Sequence, residues 1–451
     1  MTNVKPKNSP SQISLALPHE VEAISRRQFI DHGVSLTAFT SLYSMLGASD
    51  VSRAAIRFPP QRKLIWINMS GGWDILEVTD PKTNSTSGID MSYSWGDAKE
   101  VVGGDGTKIG RWCSNIANLG TDLLVVRGLA MGTTSHEAGS VYMDTGILSN
   151  AGRVNAASIP SIVASESAAT IPIIQLSGGS DPMIDRGLLN SVSPVRASNL
   201  DLYRSMYPTE ADALARRMDI LKYLKTSIDG YQQSVGANDR LTDLASAEAK
   251  IRVQFEGNVG SKLALTAEDA APFTRVATGG RQNSVSDAFA LAAKLVKNDL
   301  VTCVNLGIGG FDTHANQTAR MQPIMEQADR LVAVLAEQLR SASKLNSTLI
   351  VLYSDFGRTP KVNGSNGRDH WPVGGALMIG GGIAGGRAVG GTDDNLLSTS
   401  INLTTGAATA GGTQLSSIHL GGSILSLTLG SSYMQYRPYL TAIELMTRLK
   451  S

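Results

Sequence analysis

The chain alternates short, densely apolar runs with longer stretches in which apolar residues recur every three or four positions. KLIWINMSGGWD (63–74) reads as a strand closed by a glycine turn, DLLVVRGLA (122–130) as a second strand and IPIIQLSG (171–178) as a third. Further on, LVTCVNLGI (300–308), STLIVLYSD (347–355) and GGALMIGGG (374–382) repeat the pattern. Between these runs lie helical patterns. GTTSHEAGSVYMDTGIL opens one, with Ser135 at the N-cap position, and residues 283–298 and 317–343 carry two more. Strands alternating with helices predict a mainly parallel central sheet covered by helices on both faces, a three-layer α/β/α architecture.

One segment departs from this plan. From 208 to about 255 the chain is amphipathic at helical spacing, and it reads as an inserted helical pair within a single domain spanning 56–451. Residues 385–414 are rich in turn formers and read as a loop or hairpin excursion.

Composition narrows the function classes. A formal net charge of +1 gives no electrostatic footprint for nucleic acid or an acidic membrane. The two cysteines, Cys113 and Cys303, form no CxxC or Cys/His cluster, so a structural zinc site of that kind has no support; a single disulfide and two buried thiols remain alternatives. Near the N-terminus, Ser25-Arg26-Arg27-Gln28-Phe29 precedes a moderately apolar stretch of signal-peptide length. Residues 1–55 therefore read as a twin-arginine export signal and linker, with a periplasmic or cell-envelope destination and membrane attachment only through an uncleaved signal.

The polar outliers fall in a pattern. Asp74 follows the first strand, His136 begins the helix after the second, Asp312 and His314 follow the 300–308 strand, and Asp355 ends the 348–353 strand. Asp369-His370 return on a glycine-rich loop fifteen residues later. Several strands thus deliver Asp or His beyond their carboxyl ends, where open α/β sheets place ligands. Carboxylates gathered in one crevice repel, and a divalent cation removes that penalty. A mixed carboxylate–imidazole set suits zinc, manganese or iron, whereas carboxylates alone suit magnesium or calcium. Arg358 could clamp an oxyanion. No G-x-S-x-G elbow and no P-loop is present.

The blocks SGGWD, TTSHEAGSVYMDTG, GFDTHANQ, SDFGRTP and NGSNGRDHWP, in this order behind SRRQF, resemble the bacterial domain-of-unknown-function family 1501. That family is placed in the alkaline-phosphatase-like superfamily with sulfatases and cofactor-independent phosphoglycerate mutases. The resemblance implies that Asp74, Asp312, His314, Asp355 and His370 hold metal. Asp312 and His314 are spaced DxH where many relatives have DxxxH. His136 stands nine residues before Thr145-Gly146, where the superfamily carries its Ser, Thr or Cys nucleophile, with Ser135, Thr134 and Thr133 as hydroxyl neighbours. Phe356 stands where an Asp-His-Gly motif has its histidine. What the resemblance implies is an exported, metal-dependent hydrolase of small-molecule or polymeric phosphate or sulfate esters. A non-catalytic binding or assembly protein on the same fold is the alternative. A one-metal site, an altered two-metal site with His136 as a ligand, and a silent relic all remain open.

Overall fold

The structure, a computed structural model, describes residues 60–149, 154–181, 183, 195–196, 210–236, 239–274 and 284–450. The export signal expected in residues 1–55 lies outside them. Eight strands form the central sheet: β1 (Lys63–Ser70), β2 (Leu123–Ala130), β3 (Ile171–Gln175), β4 (Val195–Arg196), β5 (Val301–Gly309), β6 (Thr348–Tyr353), β7 (Val373–Gly380) and β8 (Arg387–Gly390). Their spatial order is β8-β2-β7-β6-β1-β5-β3-β4. β1 runs parallel to both β5 and β6, and only β7 runs against its neighbours.

Both faces of the sheet are buried. Along β1, Ile65, Ile67 and Met69 enter one core while Leu64 and Trp66 enter the other, so an unbroken apolar run is what a doubly covered strand needs. Helices α5 (Ser284–Lys297) and α6 (Gln317–Ser341) close the first core. On α6, Met321, Met325, Ala328, Val332, Leu335 and Leu339 form the inward stripe at 3.6-residue spacing. Helices α1 (His136–Thr145), α2 (Ile159–Ser165) and α7 (Ser417–Leu429) close the second. The architecture is the three-layer α/β/α expected, with β7 as its antiparallel member.

Helices α3 (Ala211–Val235) and α4 (Asp239–Glu256) pack against each other, and Leu221, Ile251 and Phe255 from this pair join the first core. Within the turn-rich 385–414 segment, β8 pairs with β2 and supplies a sheet edge. Cys113 and Cys303 are both free and buried, in opposite cores, so the sheet itself separates the two thiols. No helix among the described residues is long and apolar enough to cross a membrane.

Candidate functional site

The order β7-β6-β1-β5 brings one end of each strand to a shared rim. Since β7 alone is reversed, its beginning meets the carboxyl ends of the other three, and His370 arrives just before it. A two-residue ribbon pairs His370 with Arg358 and Trp371 with Gly357, which fixes the returning loop beside the β6 exit.

Helix α1 begins with His136 beyond the end of β2. Its Nδ1 makes a short hydrogen bond to Asp355 Oδ2. Asp355 is buried, and its Oδ1 accepts the backbone N–H groups of Gly71 at 3.0 Å and Gly72 at 2.7 Å. The Asp355 bond holds the His136 imidazole above its ordinary pKa, against burial and the positive charge of Arg358.

Asp312 lies at the centre. Its Oδ1 is 3.0 Å from His314 Nε2, 3.3 Å from His370 Nε2 and 3.6 Å from His136 Nε2, and it accepts from Arg358 Nη2 at 2.6 Å. Burial pushes the Asp312 carboxyl up, but the hydrogen bond and positive charge of the Arg358 guanidinium outweigh it, and the pKa is held at about 2. The carboxylate is therefore ionised throughout the physiological range.

The far sides of the rings are committed. His314 Nδ1 bonds Asp369 Oδ1 at 2.7 Å, and His370 Nδ1 bonds the Thr134 carbonyl at 2.8 Å. A carbonyl only accepts, so His370 carries a proton on Nδ1, and in the singly protonated ring the Nε2 lone pair turns inward. Yet the Nε2 atoms of His314 and His370 are 3.0 Å apart, and His136 Nε2 is buried with no hydrogen-bond partner. Lone pairs facing one another this closely need a proton or a cation between them.

The residues fit a divalent cation. Imidazole ligands of metals characteristically donate Nδ1–H to a carboxylate or carbonyl, as all three rings do here. Tetrahedral ligands about 2.0–2.1 Å from zinc would stand about 3.3 Å from one another, close to the 3.0–3.6 Å that separate Asp312 Oδ1 from the three Nε2 atoms and His314 Nε2 from His370 Nε2. Among the described residues, His136, Asp312 and His370 offer ligand atoms that all lie within 4.8 Å of one another. His314 adjoins two of them.

The other residues singled out in the sequence sit around this group. Asp74 is buried one layer away, where it caps Leu76 N–H at 2.9 Å and accepts from Gln317 Nε2 at 2.5 Å; Arg368 Nε lies 3.1 Å from the same oxygen. It thereby ties the loop carrying His370 to the β1 turn. Arg358 is fully buried, donating to the Gly71, Gly72 and Arg368 carbonyls as well as to Asp312, which leaves it committed to the protein. Ser135 is exposed at the helix start. Phe356 is buried between two of the imidazoles, 4.7 Å from the His136 ring and 4.5 Å from that of His370. Gly72, at φ 72°, leaves room for that ring, which a Cβ there would meet at 2.6 Å.

Two members of the arrangement carry no signal of their own in the sequence. Asp369 is visible only as the neighbour of His370, and the Thr134 carbonyl is a backbone group. Beside the centre, an open cleft of about 660 Å³ runs between α1 and the sheet; its lining includes His136, Ser140, Asp144, Asn68, Asp312 and Asp355.

No curated protein matches the chain by sequence. Among solved structures, the PsFucS1 sulfatase from Pseudoalteromonas sp. is 11% identical over 94% of this chain and 76% of its own, with a TM-score of 0.36. A protein in the alkaline phosphatase superfamily from Vibrio parahaemolyticus is 10% identical over 79% and 72%, TM-score 0.33. The lipoteichoic acid synthase LtaP from Listeria monocytogenes is 9% identical over 87% and 78%, TM-score 0.33. Likeness this loose carries no argument about activity. The model of the family described as "Protein of unknown function (DUF1501)" matches residues 61–402, and the chain belongs to that family.

Proposed function

We propose that the chain is a metal-dependent hydrolase of phosphate or sulfate esters, built on one divalent cation held by His136, His314, His370 and Asp312. The observation that carries this reading is the convergence of three Nε2 atoms on one ionised carboxylate oxygen, each ring braced from behind. A cation bound there supplies a Lewis acid for an ester oxygen and lowers the pKa of a bound water. The chain's own residues do the positioning. Asp355, Asp369 and the Thr134 carbonyl orient the rings, Arg358 keeps Asp312 ionised, and Phe356 closes the apolar side. Three imidazoles and one carboxylate suit zinc best, manganese next, and magnesium or calcium least.

The ester class rests on the family resemblance, and small-molecule or polymeric esters would enter through the cleft. With His136 in the ligand set, Asp74 and Asp355 act in this reading as supports, and Ser135 is the nearest hydroxyl along the chain. One observation favours a second reading, a binding or assembly protein with a structural cation: four side chains together fill a tetrahedral shell, as closed structural sites do.

Metal analysis paired with aryl phosphate and aryl sulfate hydrolysis separates the two. The expected result is one equivalent of metal, with metal and turnover both lost in His370→Ala. Bound metal without turnover supports the second reading, and a metal-free protein after zinc addition sinks both. Export by the twin-arginine route is part of the proposal, supported by Ser25-Arg26-Arg27-Gln28-Phe29. Replacing Arg26 and Arg27 by Lys should trap the protein inside the cell; unchanged fractionation refutes it.

A further inference from the structure

His136, Ser140 and Asp144 stand at i, i+4 and i+8 on α1, form one stripe of that helix, and all line the cleft. At 1.5 Å rise per residue, the stripe leads about 12 Å from the metal centre into the fold. The inner end carries a carboxylate and an amide. Asp144 is buried, and its Oδ1 is already saturated by Trp66 Nε1 at 2.7 Å, the Tyr353 hydroxyl at 2.7 Å and the Ser180 hydroxyl at 3.3 Å. Its second oxygen takes no hydrogen bond from any of these three. Asn68, only 7% exposed, also lines the cleft, and its Oδ1 has no hydrogen-bond partner.

Leaving an amide oxygen buried and unpaired is unfavourable, so its presence marks a place where a ligand donor would be favoured. The carboxylates of the lining outnumber its cationic groups. Glu137 lies on the exposed rim and Asp181 is paired with Arg196 at 3.2 Å, while no Lys or Arg occurs among the described lining residues. A primary ammonium brings three donors, no acceptor and the complementary charge.

We propose that the inner end of this cleft binds the protonated amine of a ligand whose other end reaches the metal centre. Combined with the ester reading above, on which this half rests, the substrate is an ester whose alcohol part carries a primary amine on the order of 10 Å from the phosphoryl or sulfuryl group, a span set by the helical stripe. The ammonium half stands without that reading.

The test is calorimetric binding of 1,6-diaminohexane, 1,6-hexanediol and adipate to the full chain, with and without added zinc. The diamine is expected to bind in both conditions at least tenfold more tightly than the diol, and adipate not to bind at the inner end. Ser140→Lys, which places a like charge midway along the stripe, and Asn68→Leu, which removes the free acceptor at similar volume, should each weaken the diamine at least tenfold with the circular dichroism spectrum unchanged. Equal affinity for diol and diamine assigns the pocket to neutral polyols and overturns the proposal. Absence of diamine binding, or binding indifferent to both substitutions, overturns it as well. Diamine binding with no ester cleaved would leave this inference standing and remove only the hydrolase reading.

Discussion

Helix α1 carries His136, and the distance between that helix and the β6 exit is set at one residue. Gly139 packs on the Asp355 backbone: a Cβ placed there would lie 3.0 Å from the Asp355 carbonyl carbon, 3.3 Å from its Cβ, and closer still to its carbonyl oxygen. Relaxed contacts between such atoms need about 3.5–4.0 Å, so Gly139→Ala forces the helix away by roughly 1 Å. Metal sites tolerate only about 0.2 Å in ligand distance, and His136 is joined to Asp355 by the hydrogen bond that orients it. The substitution should therefore lower metal affinity about 10- to 100-fold, the usual cost of losing an outer partner. Overpacking should cost about 1–3 kcal/mol, against which better helix propensity returns up to about 1 kcal/mol. Competition titration with a chromogenic chelator reads the affinity, and urea unfolding reads the stability. A Gly139→Ala protein with wild-type affinity and midpoint would refute the view that this contact spaces the centre.

Arg358→Lys should destabilise the fold by about 3 kcal/mol, because a single ammonium cannot reach three carbonyls and Asp312 at once, leaving buried acceptors unpaired; an unchanged urea midpoint would contradict this. Asp144 predicts a pH effect. Burial pushes its carboxyl up to about 6, against the hydrogen bonds from Trp66, Tyr353 and Ser180. Its folded pKa lies above the unfolded value, so its contribution is fully present below about 4 and lost as pH rises through about 6. At about 1.4 kcal/mol per pH unit the loss is on the order of 3 kcal/mol. Asp144→Asn should flatten the stability profile between those pH values relative to wild type, and parallel profiles would show that the group does not titrate there.

The layered fold was legible in the sequence because its signals are local. A run such as LIWINM has no polar face to give to solvent, and the α6 stripe repeats at helical period, so both elements declare their environment without their partners. The rim was legible for the same reason. Asp312, His314 and Asp355 follow apolar runs directly, and parallel strands present their carboxyl ends together.

Which of these side chains face one another was decided by the tertiary structure. Asp74 and Asp355 look alike in sequence, each an aspartate just past a buried strand. Arg368 and Gln317 hold the first away from the centre, and the Gly71 and Gly72 amides with His136 engage the second behind it. His136 reads as a nucleophile-position oddity until the approach of α1 at Gly139 turns its Nε2 toward Asp312. These pairings join residues far apart along the chain, and no local pattern encodes them. They follow from strand order, the reversal of β7 and the helix-to-sheet spacing, which only long-range packing establishes.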